Sequence, residues 1–171
     1  MPGFCRADRR RADAILVARL AIHHRRSRGQ AGGLLCALPA AGSGAAAKAA
    51  IEAAAGESGL GASDVVAIFG RGAYTRNCWV QGGEGDWLIE HVATLSEYRG
   101  RGLVQGLIDH ALAAGSAAGF ERASISFLIG NEAAERCYAK AGFAFAEEKR
   151  DPAFEAIMGS PGFRRFTRTI P

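Results

Sequence analysis

The sequence has no CxxC pair. None of its four cysteines, Cys5, Cys36, Cys78 and Cys137, stands at a zinc-ligand spacing from a histidine. That excludes zinc ribbons and fingers, and reduced thiols in a cytoplasmic protein are the simplest reading. No metal site is expected. His23 and His24 adjoin "RRSR", which repels metal cations. No apolar run approaches the roughly 20 residues that a membrane-spanning helix needs. Arginines 9–11 precede "ADAILVARLAI" in the manner of a signal peptide. Arg19 interrupts that run, however, and "HHRRSR" follows in place of a small-residue cleavage site. The stretch from Asp13 to about His23 therefore reads as an amphipathic first helix of a soluble protein. No GK[ST] follows any glycine loop, so a Walker loop is excluded. There is no internal repeat.

What is present is a chain of 171 residues with 49% hydrophobic content. It reads as one domain, residues 1–171, that buries about two thirds of its unfolded surface without staples. Lysine and arginine number 21 against 17 acidic residues, and residues 1–30 carry eight arginines against Asp8 and Asp13. The basic start suits either an anionic partner or a solvated face, and the solvated face is preferred.

"LLCALPAAG" is ambiguous. Ser43 is an N-cap candidate for "GAAAKAAIEAAAG", a strong helix former ending at Gly56. "DVVAIFG" (64–70) and "RNCWVQ" (76–81) read as the two strands of a hairpin, and "WLIEHVATL" (87–95) as a third strand. Leu103, Leu107, Ile108, Ala111 and Leu112 keep helical spacing to about Ala118. "RASISFLI" (122–129) is a strand. Asn131 caps a helix through Ala141, which Gly142 closes; Ala134, Cys137, Tyr138 and Ala141 share one face. "FAFAEEK" alternates as a strand, "DPAFEAIMGSPG" is a long loop, and "FRRFTRTI" is a last strand. The order is that of an α/β chain around one mixed sheet.

"YRGRGLVQG", Tyr98 to Gly106, places bare backbone, two arginines and a helix start together. Glycine lets backbone approach a ligand, and a helix start offers unpaired N–H groups with partial positive charge. Together they suit a phosphate or pyrophosphate. Gly100, Gly102 and Gly106 could belong to a dinucleotide fold. Against this, "SEYR" separates strand from glycine, no acidic residue ends the next strand, and 65 residues are too few for a doubly wound sheet.

"VATLSEYRGRGLVQGLIDHAL" followed by "GNEAAERCYAKAGFAF" resembles the GNAT family of acetyl-CoA-dependent N-acetyltransferases. The first part is similar to its pyrophosphate loop, [RQ]-x-x-G-x-[GA], with Arg99 and Gly102 in place. The second is similar to its N-x-x-A-x-x-x-Y-x-K-x-G-F segment, with Asn131, Ala134, Tyr138, Lys140, Gly142 and Phe143. The resemblance covers about residues 87–146, and "FCRADRRRADAILVARL" faintly resembles the family's opening strand and helix. It implies a GNAT-like α/β fold, with a mixed, mostly antiparallel central sheet flanked by helices. Val104 departs from the loop pattern; its N–H can donate, and its side chain is expected to crowd the phosphate.

The resemblance implies acetyl-CoA as co-substrate. Its pyrophosphate would lie on the N–H groups of Gly100, Arg101, Gly102, Leu103, Val104 and Gln105, beside Arg99. Its pantetheine arm would run along Val92, Ala93 and Thr94, with the next strand diverging after residue 95. Tyr138 matches the family's general acid, and Asn131 both caps its helix and contacts cofactor. Strand alternation puts Glu90 on the face of Val92, towards the thioester, as the candidate base. His91 then points away as a packing residue, and Cys137 packs. The acceptor pocket is expected from residues 20–42 and 150–162, with Asp151, Phe154, Glu155 and Met158 as lining candidates.

The expected function is acetyl transfer to an amine, small or on a peptide, by direct transfer in a ternary complex. The alternatives are an acyl-CoA sensor without turnover and an acetyltransferase acting on an RNA-linked amine. No membrane or free nucleic-acid partner is expected, and a homodimer is left open.

Overall fold

The computed structural model describes residues 16–21, 31–80 and 82–171. Six strands form one sheet in the order β1-β2-β3-β4-β6-β5. They are β1 (Leu16–Ala21), β2 (Ala31–Pro39), β3 (Asp86–Thr94), β4 (Arg122–Leu128), β5 (Ala144–Arg150) and β6 (Gly162–Thr169). Only β3 and β4 run parallel; every other neighbouring pair is antiparallel. The helices are α1 (Ser43–Glu57), α2 (Ala62–Arg71), α3 (Leu103–Ala117), α4 (Glu132–Lys140) and α5 (Pro152–Met158). The fold is the mixed, mostly antiparallel α/β sheet that the sequence implies.

The core lies on the sheet face covered by α3 and α4. Leu35, Ala37, Trp87, Ile89, Ala123, Ile125 and Phe127 meet Leu107, Ile108, Ala111, Tyr138 and Ala141 there. Full burial of each large side chain contributes roughly 1.5–3 kcal/mol. The indole N–H of Trp87 donates to the Ala111 carbonyl at 2.9 Å, which fixes α3 on β3. On α4, Asn131 Oδ1 accepts the Ala134 N–H at 3.1 Å, as its N-cap position requires. Ala134 and Cys137 pack against the core beside buried Tyr138 and Ala141, so the expected shared face is present.

Four elements differ from expectation. Residues 16–21 form an edge strand paired to β2, whereas the sequence suggests a helix; the rest of that expected helix lies outside the described residues. Pairing with a neighbouring strand overrides local propensity here. "DVVAIFG" lies in helix α2. Its valines and isoleucine favour a strand. The Gly61 N–H, however, donates to Asp64 Oδ2 at 2.8 Å, and Asp64 sits in the helix's first turn. "RNCWV" is turn and coil, so there is no hairpin over 64–80. "DPAFEAIMG" holds α5. Asp151 Oδ1 accepts the Phe154 N–H at 2.9 Å, Pro152 opens the helix, and Gly159 ends it at φ 68°.

Among the described residues, no helix is long and apolar enough to cross a membrane, and no group of histidines, cysteines and carboxylates is placed to hold a metal. Cys5, His23, His24 and most of the arginine-rich start lie outside the described residues.

Candidate active site

β3 carries a one-residue bulge. Leu34 pairs with Ala93, whereas Cys36 pairs with Glu90, so three steps on β3 match two on β2. His91 absorbs the extra residue at φ 54°, the only described non-glycine residue with positive φ. The bulge resets the alternation. Val92 packs against the core, while Glu90 lines a cavity on the opposite face. The expectation that both share one face is therefore corrected. His91 is exposed at the cavity rim and is not a packing residue.

β3 and β4 also part company. Their ladder runs from Asp86↔Arg122 to Ile89↔Ile125, yet β3 continues to Thr94 and β4 to Leu128. The divergence begins at residue 89 rather than after residue 95, at the step next to the bulge. Beyond it, β3 pairs with β2 alone among the described residues. The other edge offers the backbone of Val92, Ala93 and Thr94 to the cleft. The buried Thr94 hydroxyl has no hydrogen-bond partner among the described residues.

The glycine loop closes the wide end of this cleft. Residues 96–98 form a single 3₁₀ turn, and α3 starts at Leu103 with Gly102 as N-cap. Gly100 and Gly102 are left-handed, at φ 72° and 76°, and a Cβ on either would meet nothing within 4 Å. The first helical bond runs from the Gly106 N–H to the Gly102 carbonyl at 3.2 Å. The N–H groups before it belong to the open helix start. Arg99 and Arg101 are exposed, with Arg101 over the Tyr98 ring at 5.5 Å. Tyr98 in turn packs on Gly32, where a Cβ would come within 2.9 Å of the ring. Gln105 Nε2 donates to Asp109 Oδ1 at 3.2 Å, and Leu103 is buried. Val104 turns inward and packs against the core, so its side chain does not crowd the loop.

Tyr138 projects from α4 beside β4, its ring edge-on to Phe127 at 5.5 Å and 66°. Burial, with a smaller contribution from Cys137, pushes its phenol up to about 12. It is therefore protonated at every physiological pH. Burial also pushes up the Cys36 and Cys137 thiols, the former aided by the charge of Glu90.

The cavity holding Glu90 has a volume of about 870 Å³, between β2, the start of α1, the Trp79–Val80 segment, β4 and Phe163. The lining expected from residues 150–162 is not there. Phe154 is core, against Tyr74 and Phe163; Asp151 caps α5 and accepts from Asn77 Nδ2 at 2.9 Å. Met158 contacts Tyr74, and Glu155 is exposed on α5. Among the wall residues that sequence reasoning missed are Ser124, Ser126, Trp79 and Phe163. Only β4's alternation, which puts Ser124 and Ser126 opposite Ala123 and Ile125, signals any of them.

Residues 62–143 match the model of the acetyltransferase (GNAT) family. That segment, just under half of the chain, is similar to GNAT acetyltransferases. The match spans α2 to Phe143 and so includes the bulged strand, the glycine loop and α4. Among solved structures, an acetyltransferase superposes with TM-score 0.59 at 18% identity, over 88% of this chain and 69% of its own. A spermidine N-acetyltransferase from Vibrio cholerae superposes with TM-score 0.51 at 13% identity, over 91% of this chain and 64% of its own. At such identities the likeness is one of fold. No curated protein matches the chain. The cleft and the cavity meet at the β3 bulge, with the loop above one and Glu90 in the other.

Proposed function

We propose that the chain, as a single cytoplasmic domain, is an acetyl-CoA-dependent N-acetyltransferase that moves the acetyl group directly to an amine. The observation that carries this reading is the β3–β4 cleft. It has a strand edge unpaired among the described residues along one side, a helix start with two left-handed glycines at its mouth and a neutral buried phenol beside it.

The residues fit the co-substrate. Gly100 and Gly102 leave the loop open where a side chain would stand. The N–H groups of residues 100–105 take the pyrophosphate, with Arg99 and Arg101 adding charge. Val92, Ala93 and Thr94 hold the pantetheine amides by strand-like pairing. Asn131 remains a helix cap that also contacts the arm. When bound, acetyl-CoA supplies the activated acyl carbon.

Two of the chain's own groups handle protons. An alkyl amine of ordinary pKa near 10.4 must lose a proton, at roughly 4–5 kcal/mol at neutral pH. Glu90 takes that proton from the cavity side. Tyr138 gives one to the departing sulfur, and its raised pKa keeps the acid form in place. Val104, the only sequence argument for a sensor without turnover, packs inward, so that alternative loses its support.

Calorimetry with acetyl-CoA, NAD and ATP tests the donor. The reading expects acetyl-CoA to bind at least tenfold more tightly than either nucleotide. Equal or weaker binding of acetyl-CoA contradicts it.

A further inference from the structure

We propose that the acceptor is a compact aralkyl monoamine, with Glu90 receiving its ammonium and Ser124 reading a polar group on the far side of its ring. This rests on the acyl-transfer reading above and names the substrate class of the same site.

The cavity's charge is the first argument. At about 870 Å³ it is of a size to bury a small molecule. Among its described lining residues Glu90 is the sole carboxylate, and there is no lysine or arginine. A polyamine would neutralise one cation there and leave the others against apolar wall, which is costly. An amino acid's carboxylate would find no lysine or arginine to meet it among those residues.

The wall is the second argument. Trp79 and Phe163 stand edge to face at 5.1 Å and 67°, and Leu38 and Leu88 line the cavity with them. Aromatic rings favour such offset or edge-on company. The start of α1 contributes only small residues, Gly44, Ala45, Ala47 and Ala50 among them, which leaves room for a ring.

Ser124 is the third. Its side chain is 1% exposed, it belongs to the cavity wall, and its hydroxyl has no hydrogen-bond partner among the described residues. The neighbouring Ser126 hydroxyl is already engaged, donating to the Val80 carbonyl at 3.3 Å. An orphaned buried hydroxyl is costly unless something meets it. Ser124 pairs in register with Leu88, two residues before Glu90. Two strand steps and one strand spacing set the roots of Ser124 and Glu90 about 8 Å apart. A two-carbon chain and a benzene ring bridge that kind of distance. A single torsion, χ1, sets the direction of the serine hydroxyl.

The test is calorimetry on the full chain with coenzyme A present, which requires no turnover. The probes are 2-phenylethylamine, its 4-hydroxy analogue and spermidine. The proposal expects 2-phenylethylamine to bind at least tenfold more tightly than spermidine, and the hydroxy analogue about tenfold more tightly again. Ser124→Ala should erase the second difference and keep the first. It removes a hydroxyl that has no partner, so the fold should survive. Spermidine binding as well as the aralkylamines overturns the substrate class. A hydroxyl advantage that is absent, or that survives Ser124→Ala, overturns the role of Ser124. Thiol release measured alongside separates this proposal from the one beneath it. Aralkylamine binding without thiol release retains the ligand class and sinks acetyl transfer. Thiol release with spermidine alone does the reverse.

Discussion

Glu90 and Val92 are two residues apart on one strand and face opposite sides of the sheet, because the bulge at His91 adds a residue between them. One strand can therefore serve two compartments. Its edge beyond residue 89 faces the cleft, and its Glu90 side chain faces the cavity. Acyl donor and amine would meet across a single backbone step.

The glycine loop gives the first prediction. Replacing Gly102 by Asp should abolish acetyl-CoA binding in calorimetry. The aspartate would fill the cradle and repel phosphate. Aspartate tolerates left-handed backbone better than most residues, and nothing lies within 4 Å of the new Cβ, so the free protein should keep its fold. Circular dichroism checks that point. Unchanged affinity would remove the phosphate-loop assignment.

Val104 separates packing from crowding. Its side chain packs against the core, so Val104→Ala should cost about 1–2 kcal/mol in urea unfolding. Acetyl-CoA affinity should change less than threefold. Markedly tighter binding by the alanine variant would mean that the valine obstructs the loop after all.

Tyr138→Phe should lower kcat by about 10²-fold or more with little loss of stability, because the hydroxyl meets no partner among the described residues. The raised pKa adds a second signature. A phenol ordinarily titrates near 10, and burial lifts this one to about 12. Its contribution to stability is whole below pH 10 and is lost as pH rises from 10 through 12. The wild type should thus lose more stability than Tyr138→Phe over that window, by roughly 3 kcal/mol at most. Parallel losses would place the phenol in an ordinary solvated setting.

Glu90→Gln should depress kcat/KM most near neutral pH, where the amine must be deprotonated by the enzyme. The deficit should shrink as pH approaches the amine's own pKa, since free base is then abundant. Acetyl-CoA affinity should hardly move, because the side chain lies in the cavity rather than the cleft. A deficit that is flat across pH would assign Glu90 to positioning alone.

Much of this site is legible in the sequence, because its parts are local. The Arg99–Gly102 loop, the α3 periodicity and the Asn131-to-Gly142 helix each carry their own caps and spacing, and each falls where the spacing puts it. The bulge is not legible. It occupies His91, with no glycine to mark a positive φ, and strict alternation puts Glu90 and Val92 on one face. The α2 segment misleads for a different reason. Val65, Val66 and Ile68 favour strand, while the deciding signal is the Gly61–Asp64 cap before them. For α5 the signal was present in Asp151-Pro152 and Gly159, and a loop reading passes over it. The cavity wall depends on which loops lie across the sheet, and no local pattern encodes that.

The most direct test of the central claim counts two products at once: thiol released from acetyl-CoA, and acetylated amine by mass spectrometry. The assay takes wild type and Tyr138→Phe with an aralkylamine as acceptor. Direct transfer predicts amine-dependent thiol release, matched one to one by N-acetylated product and reduced about 10²-fold or more in the variant. Acetyl-CoA that binds with no amine-dependent thiol release, or thiol release without acetylated amine, would contradict the account.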